Sequence, residues 1–387
     1  MKIFHLNDRW QVKENPKIAS KAYRDIRFNR FFCLALCGIF VFLSVFSSPV
    51  NVSALSETNY PVMRITSEQR ALLNDKLLSM PEAVIDRQIQ EGLQLSDEGG
   101  YFSLLSHLYY IPEERDQGNT GTCWVWTGTG CMEIALDVQQ GIKDRLSIQY
   151  FDSLYNNGEG EDWAGNGGQP YYFADFYDEH RFIIPWSNIN AFYQDGNGGD
   201  SAAISADEIA VNAGYLLESV NYFMIKTYNV AEDTAIMRIK NTLNQNKAIF
   251  FAFYLADKED WKQFYNFWIH EPESAIWKHG FSDGKDWNDE EGGGHAVLCV
   301  GYDDSDPDPA NHYWIMLNSW GVTDGRPNGL FRVSMYGIYD DADSDSIYNT
   351  YWHTVEPVYL GMLDKGVDIL PELTDYNNPK IIIPAIW

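Results

Sequence analysis

Apolar residues recur along most of the chain, and their spacing changes character twice. Over residues 65–95 they fall at helical intervals, with Leu72, Leu73, Leu77 and Leu78 in one group and Val84, Ile85, Ile89 and Leu93 in a second. Pro81 separates the groups, which predicts two amphipathic helices. Over residues 124–140 apolar residues lie on every side, up to Gly141. That is the pattern of a buried helix closed by a glycine. Residues 156–168 are rich in Gly, Asn and Asp and read as a loop, and 208–217 reads as another short helix. Beyond residue 248 the runs shorten. The stretches 248–255, 296–301, 313–317 and 329–335 are apolar or β-branched and bounded by Gly, Pro or Asp, which predicts strands. A helical half followed by a sheet half places the chain in the α+β class, with a cleft between halves as the natural place for a site.

The ends read differently. Residues 31–46 form one apolar run preceded by basic residues and followed by Val52-Ser53-Ala54, a signal peptide with a long basic lead. The run is short for a membrane span and Pro49 closes it early, although a retained signal-anchor stays open as an alternative. Residues 1–54 are therefore expected to leave on export, 55–110 to form a helical leader, and 358–387 a C-terminal tail with an apolar end. The leader is either a propeptide covering a site or a structural extension.

Charge narrows the partners. The net charge is −27, yet the first 54 residues carry +5, so the remainder is near −32. Such a surface repels nucleic acid and anionic lipid and favours solubility. An exported monomer is the expectation, with no nucleic-acid partner and no membrane contact once the signal has gone. Of the five cysteines, Cys33 and Cys37 lie in the signal, leaving Cys123, Cys131 and Cys299. An odd number in an exported chain suggests a thiol kept free. Cys131 and Cys299 sit on a predicted helix and a predicted strand and read as core thiols.

Acyl transfer needs a nucleophile, a base, a group that orients the base and donors for the oxyanion. Cys123 stands where a Gly/Thr loop meets the buried helix, and the positive end of a helix favours thiolate. Gln117 lies six residues earlier and offers a side-chain amide as an oxyanion donor beside the Cys123 N–H. His295 opens a predicted strand after Gly292-Gly293-Gly294, and Asn318 ends another in Asn318-Ser319-Trp320-Gly321. Trp320 can shield a His–Asn hydrogen bond from water. Each residue alone has a structural explanation; the four in this order are difficult to explain otherwise.

In these segments the sequence resembles the papain family of cysteine peptidases. The resemblance spans residues 111–357. It implies a two-lobed fold, with a helical N-terminal lobe and a β-barrel-like C-terminal lobe. It also implies Cys123 as nucleophile, His295 as base and acid, Asn318 as orienter and Gln117 as oxyanion donor. Gly165-Asn166-Gly167-Gly168 resembles the loop on which substrate backbone pairs, with Gly167 and Gly168 as contacts and Trp320 as a further substrate-binding residue, so protein or peptide substrates are implied. No metal or organic cofactor is implied. Relatives that no longer turn over, or that pass the acyl group to an amine, are the alternatives.

Three departures stand out. Family members usually bridge a Cys three residues before the nucleophile to one just before the Asn-Gly-Gly, and here Thr120 and Gly165 occupy those places. The long helical propeptide signature is absent from 55–110. Acidic stretches at Asp303, Asp304, Asp306 and Asp308, and at Asp341, Asp343 and Asp345, lack the glycine and distal Glu of a calcium loop and are expected to be solvated turns.

Overall fold

The computed structural model describes residues 61–95, 99–281 and 284–363, all within the compact unit Asn59–Trp387. The predicted signal and the apolar end of the tail lie outside the described residues.

In chain order the first elements are β1 (Met63–Arg64), α1 (Ser67–Leu78), α2 (Arg87–Leu95) and β2 (Tyr101–Ser103). A helix forms on each side of Pro81 as predicted, but Val84 and Ile85 precede α2, and Leu72 and Val84 are exposed. Thr66 caps α1 through the Gln69 N–H while the Gln69 side chain returns to the Thr66 N–H, a reciprocal capping box. The helical half continues with α3 (Cys123–Gln140), α4 (Ile148–Leu154) and α5 (Pro170–His180). Helix α3 is buried on all sides from Cys123 to Ile134 and ends at Gly141 in the left-handed conformation, as its sequence predicts.

The sheet half comprises β3 (Phe182–Ile183), β4 (Gly214–Met224), α6 (Glu232–Asn244), β5 (Ile249–Leu255), α7 (Lys258–His270), β6 (Ile276–Trp277), β7 (Gly293–Asp303), β8 (Tyr313–Leu317), β9 (Leu330–Ser334) and β10 (Thr350–Leu363). The strands run in the order β3-β4-β10-β5-β7-β8-β9-β6, antiparallel except for the β6–β9 pair. Each run predicted beyond residue 248 is a strand within a few residues of its expected ends. The helix predicted at 208–217 is not there. Only a short 3-10 turn at Ala206–Glu208 precedes β4, which pairs with β10 along its whole length. Ladder pairing over eleven residues overrides the local spacing of apolar residues. Strand β10 also runs past residue 357, where the tail was expected to begin.

The aromatic segment at 261–268 is core: Trp261, Phe264 and Trp268 of α7 are all buried. Helix α3 packs against β7 and β10, so its N-terminus meets the sheet at the start of β7. The register there matters. On one edge β5 pairs with Gly293 to Cys299, while on the other β8 pairs only from Leu298 onward. The second edge is thus open at Gly293 and Gly294, and β1 of the leader pairs there, Met63 with Gly294 and Arg64 with Gly293.

Candidate active site

Cys123 is the first residue of α3 and is 2% exposed. Its sulfur is reached by the backbone N–H of Ala296, the residue after His295. The helix end carrying Cys123 and the strand carrying His295 therefore meet. His295 Nε2 lies 2.8 Å from Asn318 Oδ1. The same oxygen accepts the Ser319 backbone N–H at 2.8 Å, which fixes that atom as the amide oxygen. Nε2 must then be the protonated nitrogen of the neutral ring, and Nδ1 carries the lone pair. Nδ1 is buried and has no hydrogen-bond partner among the described residues. Trp320 stacks on the imidazole with ring centres 4.5 Å apart and planes 28° apart, covering the ring and its bond to Asn318. It touches the base directly.

Burial sets the ionisation. It pushes the Cys123 thiol up to about 12, against smaller lowering by backbone N–H groups, and it pushes His295 down to about 4, with Asn318 opposing. In this closed arrangement both groups are neutral at pH 7.

Gln117 is held from three sides. Its backbone N–H donates to Ser319 O at 2.8 Å, and its Oε1 accepts the Ser319 hydroxyl at 2.7 Å. Gly321 N–H donates to Arg115 O at 2.9 Å, so residues 115–117 run beside 319–321 and tie the two segments together. The Gln117 amide donates to Thr120 O at 2.6 Å and to Pro61 O at 2.9 Å. The second contact puts a leader carbonyl on the donor expected to hold an oxyanion.

The leader continues along the cleft. Met63 lies against Gly167, where a Cβ would stand 2.2 Å from Met63 Cγ. Gly167 has φ of +115°, a conformation open to glycine. Gly168 lies on the Trp124 ring, and Gln169 Nε2 reaches Met63 Sδ at 3.5 Å. The chain thus passes Gln117 at Pro61, the Gly-Gly loop at Met63, and Trp287 at Ile65, whose carbonyl accepts the indole N–H at 3.0 Å. A cavity of about 780 Å³ remains beside it, lined by leader residues and by Gly167, Gly168, Glu161 and Asp162.

The profile of the papain family cysteine proteases matches residues 106–343. The chain belongs to the papain family. Among curated relatives, thiol protease aleurain of Arabidopsis thaliana is 26% identical over 224 residues, 57% of this chain and 52% of that protein. Oryzain gamma chain of Oryza sativa subsp. japonica is 27% identical over 230 residues, 57% of this chain and 51% of that protein. The chain spans about half the length of the curated relatives it matches. A solved structure of similar shape is procathepsin B S9 from Trypanosoma congolense, with TM-score 0.48, 14% identity, and coverage of 78% of this chain and 87% of that one.

This papain-family chain keeps the two-lobed α+β fold and replaces one of its usual braces. Among the described residues Cys123, Cys131 and Cys299 are all free thiols, and all are buried. A Cβ at Gly165 would stand 2.1 Å from the Trp163 ring, so the indole fills the space a bridging side chain would need. Thr120 is held instead by Tyr193. The phenol lies 2.8 Å from Thr120 Oγ1 and 3.1 Å from Thr122 Oγ1, and it donates to Gln117 O at 2.9 Å. Tyr193 was not singled out from the sequence, because it lies in a loop with no motif. Ser319 was within reach of the sequence reading, since it sits inside the Asn-Ser-Trp segment.

Both acidic stretches depart in part from the expected solvated turns. Asp303, Asp306 and Asp308 accept backbone N–H groups two residues on, while Asp304 is largely covered, paired with Lys240 at 2.6 Å and accepting the Gly100 N–H at 2.8 Å. Asp343 does not lie in solvent. It is buried, and its Oδ2 accepts Arg70 Nη1 of the leader at 2.6 Å. The sequence reading missed this because the partner is 273 residues away.

Proposed function

We propose that this chain is an exported cysteine endopeptidase, latent while residues 61–95 occupy its cleft. The observation that carries the reading is the His295 ring. Its Nε2–H is committed to Asn318, its Nδ1 has no hydrogen-bond partner among the described residues, and the N–H of its neighbour Ala296 is among the backbone groups that favour a Cys123 thiolate. Once the leader is displaced, water and substrate dipoles reach the pair. The burial that holds thiol and imidazole neutral then falls, and the thiol proton moves to His295 Nδ1.

The Cys123 sulfur attacks the scissile carbonyl and a C–S bond forms. The oxyanion takes the Cys123 N–H and the Gln117 amide, replacing the Pro61 carbonyl that Gln117 now holds. His295 gives its proton to the leaving amine as the C–N bond breaks. Water, deprotonated by the same nitrogen, then releases the acid and restores the thiol. Asn318 and the Trp320 ring keep the imidazole in the required tautomer. Gly167 and Gly168 pair with substrate backbone where Met63 now lies.

The test uses the full chain with a recognition sequence for a specific protease placed at residues 96–98 and cut after folding. The cut chain is expected to hydrolyse peptides and to be labelled by an epoxide probe, and Cys123→Ala is expected to abolish both. Turnover that survives Cys123→Ala would sink the mechanism. With an added amine, amide products formed in preference to acids would move the chain to the acyl-transfer class.

A further inference from the structure

Arg70 of α1 is 2% exposed, unusual for an arginine, and every group that holds it belongs to the body of the protein. Nη1 donates to Asp343 Oδ2 at 2.6 Å, and Nη2 donates to Asn349 Oδ1 at 2.8 Å and to Tyr348 O at 3.2 Å. The guanidinium lies 4.0 Å from the centre of the Trp287 ring and 5.4 Å from that of Tyr254. Acceptors along one side and aromatic faces across the plane are what a guanidinium requires, and an ammonium makes poor use of them.

This pocket adjoins the cleft. Tyr254 forms one of its walls and also lies against Gly294, where a Cβ would stand 2.6 Å from Tyr254 and 3.0 Å from Met63 Cε. The Tyr254 hydroxyl is 3.4 Å from Gln169 Oε1, the residue next to Gly168. Trp287, the other wall, holds Ile65 O. Tyr254 thus stands between Met63 in the groove and the arginine seat.

We propose that the Arg70 seat is a specificity subsite of the peptidase, that it takes an arginine side chain of the substrate, and that Asp343 is the residue that selects it. The inference rests on the peptidase reading above. Withdrawal of the leader leaves Asp343 at the floor of a pocket with its cation gone. A carboxylate so placed is strongly disfavoured unless a new cation enters. Asn349, Tyr348 O and the two rings stay in place to receive it. The acidic mouth formed by Glu161 and Asp162 on the adjoining cavity adds attraction for basic peptides. Asp343 Oδ1 is already engaged by the backbone N–H groups of Asp345 and Ile347, so the loop holds the carboxylate in position without Arg70.

The experiment profiles a peptide library with the full chain cut at 96–98. Cleaved peptides are expected to carry Arg at one fixed position relative to the scissile bond, favoured about tenfold or more over Lys and Leu, as loss of a charge-assisted hydrogen bond implies. Asp343→Asn keeps the Oδ1 acceptor and is expected to erase that preference, so that Arg, Lys and Leu peptides are cleaved at similar rates. Turnover with no preference for Arg, or a preference that survives Asp343→Asn, overturns the subsite. Absence of both turnover and Cys123 labelling overturns the peptidase reading instead. The pocket is then read by itself, in uncut Arg70→Ala. Its melting temperature is expected to rise with millimolar ethylguanidinium and not with ethylammonium, and Arg70→Ala/Asp343→Asn is expected to show no rise. No ethylguanidinium shift in Arg70→Ala overturns the pocket.

Discussion

Tyr193 holds three points of the nucleophile loop with one oxygen: the Gln117 carbonyl and the hydroxyls of Thr120 and Thr122. Gln117 is the predicted oxyanion donor and Thr122 precedes the predicted nucleophile, so a loosened loop should impair chemistry more than binding. Tyr193→Phe keeps the ring and its edge-on contact with Trp126, with centres 5.1 Å apart, and removes only the hydroxyl. We expect a loss of about 1 kcal/mol in stability. In the leader-released enzyme, kcat should fall roughly tenfold with KM little changed, the signature of an interaction used in the transition state. A rise in KM at constant kcat would assign Tyr193 to substrate binding instead. The contrast with Gln117, Cys123, His295 and Asn318 shows what a sequence reveals at this scale. Those four stand in short segments whose spacing is itself informative, whereas Tyr193 acts across 76 residues from a loop without pattern. The departure at Thr120 and Gly165 was legible; the Trp163 ring and the Tyr193 hydroxyl that make up for it became apparent only once the chain was folded.

At the scale of elements, the helices were the easiest to read, because spacing and caps agree: Thr66 and Gln69 box the start of α1, and Gly141 closes α3. Strand β4 was misread because its pairing with β10 outweighs its local pattern. The two-residue strand β1 leaves no periodic trace at all, and yet it closes the cleft. It holds there by backbone pairing with Gly293 and Gly294, by the Pro61 carbonyl on Gln117, and by Met63 over Gly167. Val62 and Ile65 bury their side chains in the main core, each worth about 1.5–3 kcal/mol. A charge at Met63 should dislodge this strap while α1 keeps its own anchors, Arg70, Leu73 and Leu77. Met63→Asp in the full, uncut chain is therefore expected to raise the rate of Cys123 alkylation about tenfold or more, since burying an unpaired carboxylate costs several kcal/mol. Alkylation no faster than in the wild type, in a protein that melts normally, would show that the strap does not gate the thiol.

For the whole molecule, burial of ionisable groups shapes the pH dependence of the folded state. His295 is pushed to about 4 and His353, buried without a partner among the described residues, to about 3, both from 6.5. The unfolded chain therefore binds more protons than the folded one as pH falls below 6.5, and stability is lost in that direction. Cys123, Cys131 and Cys299 are pushed from 9.0 to about 12, again by burial. Above pH 9 the unfolded chain has given up thiol protons that the folded one retains, and stability falls as pH rises. On these groups alone the melting temperature is highest between these limits. Two features work against the acid branch: burial raises Glu133 from 4.5 to about 7 and Asp152 well above its usual range, so the folded chain holds protons there that the unfolded one has lost, and protonation relieves the self-repulsion of a net charge of −27. The shape of the curve therefore does not identify its cause. A neutral replacement does. His295→Gln removes one proton-binding group from the unfolded chain and keeps a side-chain amide that can still meet Asn318. Its melting temperature should fall less steeply than that of the wild type between pH 6.5 and 4, and should run parallel to it above pH 7, where neither chain takes up a proton at this position. Parallel curves throughout would mean that His295 takes up its proton at the same pH in the folded and unfolded chains. Water would then already reach the ring beneath the strap, and burial would not be what keeps the imidazole neutral in the folded chain.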